Sequence, residues 1–196
     1  MAASLAAFYQ KIPVAHIEAG LRTNNIHSPF PEEINRRITS TVATFHFTPT
    51  DGARQNLLNE GVKNDNINVT GNTVIDALLA ISKEIESISD KQEKDFFDRF
   101  GIQFNDKKII LITGHRRESF GQGVENICNA ILHIAKNKAV QIIYPVHMNP
   151  NVQEPVSRIL GKIKNVHLIP PQDYLPFIFL MNKAYIILTD SGGVQE

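Results

Sequence analysis

The sequence has 196 residues, 42% of them hydrophobic, with 20 basic side chains balanced by 20 acidic ones. That length allows one large domain or two small ones with a real core, and the lack of a basic excess argues against nucleic acid or a membrane surface as the main partner. The single cysteine, Cys128, excludes an internal disulfide framework and fits a reducing compartment; no Cys/His cluster suggests zinc, and no apolar run approaches a membrane span.

Residues 2–10 read as the interior of an amphipathic helix and 12–17 as a buried strand, with Glu18-Ala19-Gly20 at its carboxyl end. A polar loop over 21–30 leads to Pro31. Proline at a first helical position, with Glu32 and Glu33 behind it, marks a helix start, because its fixed φ suits the helix and the carboxylates face the positive end. A second strand covers 44–48, Thr50 or Asp51 caps a helix running to Glu60, and Gly61 ends it. The third strand, 67–70, is followed by Gly71-Asn72-Thr73 and an apolar-periodic helix over 74–88.

Residues 87–94 are polar and charged, and a short helix over 95–100 stops at Gly101. A domain junction is expected here, dividing the chain into 1–88, a connection over 89–106, and 107–196. Beyond it, strands are predicted at 108–112, 141–146, 166–169 and 185–188, with helices at 123–136, 151–160 and 174–181 and Gly161 as a C′ stop. Such alternation means α/β architecture with parallel sheets and right-handed crossovers. Three strands are few for a doubly wound sheet, and both ends fall inside elements, so a central segment of a longer protein is expected.

Several strand ends carry chemistry. The apolar run 108–112 empties through Thr113-Gly114 into His115-Arg116-Arg117-Glu118, placing a histidine and two guanidiniums where open α/β sheets bind ligands, with bidentate geometry for phosphate oxygens. The strand before Ser191-Gly192-Gly193 ends in a turn whose unpaired backbone N–H groups would face an anion. Two anion-friendly turns point to a diphosphate. Between them lie His147 at another strand end and a proline-rigid loop with the amide of Gln172 and the ring of Phe177, which is either the edge of a base pocket or core. In the first half, Glu18 and Glu32 both belong to the carboxyl end of their sheet, where two acids can take a proton from carbon on one face and return it on the other, provided that burial raises one pKa. His16, His46 and His133 read as packing or surface residues, and His27 as part of a loop.

In register over nearly the whole chain, six runs resemble the non-hydrolysing UDP-N-acetylglucosamine 2-epimerases of bacteria. They are His16-Ile17-Glu18-Ala19-Gly20-Leu21-Arg22-Thr23, Ser28-Pro29-Phe30-Pro31-Glu32-Glu33-Ile34-Asn35-Arg36, Thr70-Gly71-Asn72-Thr73-Val74-Ile75-Asp76, the stretch 113–120, the stretch 145–150 and the stretch 190–196. The resemblance implies two Rossmann-like domains in the glycosyltransferase-B arrangement, both truncated in this chain, with 107–196 as the first part of the UDP-binding one. It implies interconversion of UDP-N-acetylglucosamine and UDP-N-acetylmannosamine for surface polysaccharides, by elimination of UDP to a 2-acetamidoglucal and re-addition, in a cytoplasmic homodimer with no cofactor. Carried over by motif, Glu18, Glu32 and His115 are catalytic, His115 at the diphosphate. Gln172 and Phe177 surround uracil, Ser191, Gly192 and Gly193 form the phosphate turn, and Arg36 also binds substrate. Arg116 and His147 match positions linked in some members to a second, activating UDP-N-acetylglucosamine.

The family's N-terminal Gly-Thr-Arg-Pro-Glu loop and its His-Gly-Asp strand end, which carries a third carboxylate, have no counterpart here, so little or no turnover is expected of these 196 residues alone. A hydrolysing relative that releases free sugar, a glycosyltransferase of the same architecture and a non-catalytic nucleotide-binding segment remain alternatives. All these readings expect the two acids and the glycine turns to converge on one gap.

Overall fold

The computed structural model describes residues 1–103, 107–114 and 121–195. The chain divides into two compact units, Met1–Asp76 and Ala77–Glu196.

The first unit contains α1 (Ala2–Tyr9), β1 (Ala15–Ile17), α2 (Glu32–Val42), β2 (Phe45–Thr48), α3 (Asp51–Asn59), a 3₁₀ turn (Asn64–Asn66) and β3 (Ile67–Val69). Its three strands are parallel in the order β1-β2-β3, with Ala15 opposite Phe45 and His46 opposite Ile67. Local chemistry explains α3 as expected: the Thr50 hydroxyl accepts the Ala53 N–H at 3.1 Å, and Gly61 ends the helix at φ +87°. Two expectations shift. Strand β1 is shorter because the end of α1 folds back, with Lys11 at φ +58° and the Ile12 N–H bonded to the Ala7 carbonyl at 2.9 Å. Pro31 is the N-cap of α2, not its first residue, so Glu32 and Glu33 themselves open the helix.

The core of this unit is small: Ala19, Leu57 and Ile67, with Leu58 and Val62 packed against them. His46 and Thr48 are buried on β2, whereas Ile17 is 68% and Phe45 46% exposed. The expectation of a buried first strand therefore fails. Residues alternate across a strand, and here Ala15, Ile17 and Phe45 are exposed while the positions between them turn inward.

The second sheet is of a different kind. After α4 (Thr73–Ile85) and α5 (Asp90–Asp98) come β4 (Lys108–Thr113), α6 (Gln122–Ala135), β5 (Val140–Pro145), α7 (Pro150–Leu160), β6 (Val166–Ile169), α8 (Tyr174–Lys183), β7 (Ile186–Thr189) and α9 (Gly192–Gln195). The four strands are parallel in the order β6-β5-β4-β7. Ile110, Ile112, Ile142 and Tyr144 pack with Val124, Cys128 and Ile131 of α6 and Val152, Val156 and Leu160 of α7. The alternate residues Ile109, Leu111 and Ile143 pack with Ile85, Phe96, Phe97, Ile178, Phe179 and Leu180 of α4, α5 and α8. A parallel sheet covered on both faces in this way is a Rossmann-like half, and its strand order reverses between β4 and β7. Burial pushes the Cys128 thiol up to about 11.

Within the segment expected as a connection, 89–106, the described residues 89–103 contribute to this core. Ser89 and Gln92 form a capping box that starts α5 at Asp90, and Phe96 and Phe97 are buried against the sheet. The charges that suggested a linker share a helix with these two rings, whose burial anchors it. The division accordingly falls at Asp76/Ala77, inside α4. Gly161 caps α7 in the right-handed conformation, φ −62°, not as a left-handed C′ residue.

Candidate functional site

At the carboxyl end of β1 the chain makes a tight turn over Glu18, Ala19 and Gly20. Ala19 is fully buried and its N–H bonds the Phe47 carbonyl at 2.9 Å, while the Gly20 carbonyl accepts from Asn56 Nδ2 at 2.9 Å. Only glycine fits next: at φ +85°, a Cβ on Gly20 would lie 2.1 Å from the Ala53 carbonyl oxygen of α3. Glu18 is itself held at φ +62°, a left-handed conformation uncommon for a side-chain-bearing residue and concentrated at functional sites. Its side chain is exposed, and so is that of Glu32 at the first position of α2. The end of α2 lies at the amino end of β1, where the Thr44 N–H bonds the Val14 carbonyl at 2.8 Å, so its first turn lies toward the strand's carboxyl end. Both acids thus belong to that end, as their spacing predicted, but neither has the buried carboxyl setting expected for one of them. Half-buried Arg36 lies one turn further along α2.

Around these acids lies a layer of charge that motif reading passed over. Arg22 forms a two-point pair with Glu60, Nε to Oε1 and Nη2 to Oε2, both at 2.7 Å, and reaches the Leu21 carbonyl and the Ser40 hydroxyl. The Arg22 hydrogen bonds hold the Glu60 carboxyl below the usual carboxylate range. Glu33, completely buried, receives Arg37 and two backbone N–H groups of the preceding loop. Burial alone would raise its pKa, yet these bonds together hold it low. His16, between Glu18 and this layer, is pushed down to about 4 by burial first and then by the nearby His46 and Arg22. The Glu33–Arg37 spacing of four residues was readable in the sequence; Arg22 and Glu60, 38 positions apart, were not.

In the second unit, His147, Gln172, Phe177 and Ser191 line one hollow of about 270 Å³ with Thr113, Pro145, Pro171 and Val194. All four stand out in the sequence: His147, Gln172 and Ser191 follow the carboxyl ends of β5, β6 and β7, Phe177 lies in the first turn of α8, and Thr113 adds the end of β4, the side on which open α/β sheets take ligands. Phe177 packs against the core and also lines the hollow. Gln172 Nε2 bonds the Pro170 carbonyl at 2.6 Å, and His147 Nδ1 accepts the Asn149 N–H at 3.1 Å, a bond that places the neutral ring's proton on Nε2.

The two strand ends flanking the reversal are joined through hydroxyls. Thr113 Oγ1 donates to Thr189 Oγ1 at 2.6 Å, the Ser191 N–H donates to Thr189 Oγ1 at 3.0 Å, and the Tyr144 hydroxyl donates to the Gly114 carbonyl at 2.7 Å. One expectation is corrected here: the Ser191 N–H is occupied by Thr189, so an anion at this turn would meet the Ser191 hydroxyl and the N–H groups of Gly192 and Gly193 beyond it. Thr189 and Tyr144 escaped sequence reading because nothing in an apolar strand marks which hydroxyl faces a neighbouring strand end. His115 and Arg116 lie outside the described residues, so their assigned roles gain no geometry. Among the described residues, no three His, Cys, Asp or Glu side chains gather as a metal site, and no helix is long and apolar enough to cross a membrane.

A family model described as UDP-N-acetylglucosamine 2-epimerase matches residues 1–196. A UDP-N-acetylglucosamine 2-epimerase of Escherichia coli K12 is 58% identical over 197 residues, covering 100% of this chain and 52% of that protein. The crystal structure of UDP-GlcNAc 2-epimerase from Neisseria meningitidis bound to UDP-GlcNAc superposes with a TM-score of 0.92 at 52% identity, over 100% of this chain and 52% of that one. The Methanocaldococcus jannaschii enzyme in complex with UDP-GlcNAc and UDP gives 0.80 at 36% identity, over 99% and 52%. The chain spans about half the length of the curated relatives it matches.

Proposed function

Because this chain belongs to the UDP-N-acetylglucosamine 2-epimerase family, we propose that it supplies the paired acids and part of the nucleotide site of an enzyme interconverting UDP-N-acetylglucosamine and UDP-N-acetylmannosamine. The observation that carries the proposal is the hollow at the reversal of the second sheet, lined by the amide of Gln172, the ring of Phe177 and Ser191, which opens the glycine turn. A base can lie along Phe177 with Gln172 at its edge, and the diphosphate can reach Ser191, Gly192 and Gly193.

In the reaction, a carboxylate takes the proton from C2 while the C1–O bond breaks, giving UDP and a sugar with a C1=C2 double bond. Attack of a UDP oxygen on C1, with a proton delivered to the other face of C2, completes the inversion. Glu18 and Glu32 fit this exchange: both are exposed at one sheet end, and the strained backbone at Glu18 is held by Ala19 and Gly20. The finer readings belong to the same proposal. These are the glycosyltransferase-B arrangement of two Rossmann-like domains, His115 at the diphosphate, Arg36 at the substrate, a homodimer in the cytoplasm, and activation by a second UDP-N-acetylglucosamine through Arg116 and His147.

The test places this chain in the matching stretch of the E. coli relative and follows solvent deuterium entering C2 of UDP-N-acetylglucosamine. The expected result is incorporation by the parent and a loss of at least about 100-fold in Glu18→Gln and in Glu32→Gln. Undiminished exchange in both variants would remove the acids from the mechanism, and release of free N-acetylmannosamine would favour the hydrolysing relative.

A further inference from the structure

Glu32 and Glu33 are neighbours with opposite surroundings. Glu32 is exposed, while Glu33 has no exposed surface. Both oxygens of Glu33 are engaged: Oε2 accepts the Thr23 N–H at 3.1 Å, and Oε1 accepts the Asn24 N–H at 3.2 Å and Arg37 Nε at 3.1 Å. Arg37 closes the cycle by donating from Nη2 to Asn24 Oδ1 at 3.1 Å. Asn24 takes φ +59°, and the Thr23 hydroxyl donates to the Ser28 carbonyl at 2.5 Å. One residue earlier, Arg22 is locked to Glu60 and Ser40.

The loop that leaves Glu18 is therefore bonded, within a few residues, to the first turn of the helix that begins with Glu32. A carboxylate taken wholly out of water costs several kcal/mol unless paired and hydrogen-bonded, and an apolar side chain could fill the same space without that cost. What the carboxylate does that an apolar group cannot is fix the direction of two backbone N–H groups at once.

The geometry points to Glu33 as a positioning residue: by clamping Thr23 and Asn24 to the start of α2, it sets the separation and direction of Glu18 and Glu32 without touching the substrate. The inference rests on the role proposed above for those two acids. Proton transfer at carbon depends steeply on such placement, since displacement by about 1 Å costs on the order of 100-fold.

The test uses the same chimera with Glu33→Gln, which keeps the shape and removes the charge, and Arg37→Gln, whose half-exposed side chain makes misfolding a smaller concern. C2 deuterium incorporation is measured for kcat and KM well below the unfolding temperature, together with amide exchange at Thr23, Asn24 and β2. In Glu33→Gln the expected result is a kcat lower by about 10- to 100-fold with KM within about twofold, faster amide exchange at Thr23 and Asn24, and unchanged β2 amides. Arg37→Gln shows the same pattern more weakly. Wild-type kcat with the Thr23 and Asn24 amides freed would overturn the inference, and so would a loss of activity that only follows loss of β2 protection. If Glu33→Gln fails to fold, Arg37→Gln decides by the same criteria. A parent chimera without exchange would instead overturn the functional reading, and this inference with it.

Discussion

The two units hold similar strands by different means. In the second, a four-stranded sheet is covered on both faces, and the named core residues are almost all aliphatic or aromatic, with a half-buried pair, Lys183 to Glu93, joining α8 to α5. In the first, a three-stranded sheet buries only a small apolar cluster, and its loops are tied by Arg22–Glu60, Glu33–Arg37 and the close passage of Gly20 against Ala53. Apolar packing is tolerant of direction, whereas charged and backbone hydrogen bonds are not. The unit with the smaller apolar core is thus the one whose strand-end loop is most sharply oriented by hydrogen bonds, and the unit with the larger core presents its hollow at strand ends.

Separate amide-exchange protection of the two units can break or sharpen that contrast. The largest effect is expected from Phe97→Ala, which empties a fully buried site and should destabilise the second unit by about 3–5 kcal/mol while leaving amides of β2 protected. Gly20→Ala should cost the first unit about 2–4 kcal/mol, because the new Cβ would meet a backbone carbonyl at 2.1 Å and the backbone sits at φ +85°. Equal loss in both units would mean that the division is not real. Arg22→Met should cost the first unit about 2–3 kcal/mol, less than a fully buried pair because Glu60 keeps a third of its side chain in water.

Acid should act on the first unit in two stages. His16 has a folded pKa of about 4 against an ordinary 6.5, and that of His46 is also lowered, in both cases chiefly by burial. The unfolded chain therefore binds more protons below pH 6.5, and stability falls from there toward pH 4. Glu33 and Glu60, both lowered from 4.5, contribute stability that is present above that value and lost as pH falls through their folded pKa values. In the second unit, His167 is lowered by burial with the same sign. Protection measured from pH 7 to pH 3 should fail first over residues 15–48; earlier failure in β4 and β5 would reverse the contrast. The smallest effect belongs to Tyr144→Phe, which leaves the Gly114 carbonyl without its 2.7 Å donor and should cost about 1 kcal/mol, seen as faster exchange near Gly114.

Much of this was legible. Short apolar runs mark the seven strands among the described residues to within a few positions, Thr50 and Gly61 mark the ends of α3 through ordinary capping chemistry, and Gln172, Phe177 and Ser191, which share one hollow, stand out in the sequence. The misses share a cause. Phe96-Phe97 looked like part of a linker because the surrounding charges dominate any local window, and only the sheet beneath the helix shows which side is buried. Arg22 and Glu60 are distant in the chain, and the Thr113–Thr189 hydroxyl contact joins strands 76 residues apart.

By itself, then, the sequence determined the order and type of the elements and the residues at their carboxyl ends, because side-chain periodicity, capping and turn chemistry act over a few neighbouring positions. Tertiary structure alone decided that one sheet is covered on both faces while the other leaves Ile17 and Phe45 exposed. It also decided that Glu33 is buried beside an exposed Glu32, and that Thr189 takes the Ser191 N–H. Those outcomes depend on which distant groups share a low-dielectric space, and no local pattern records that.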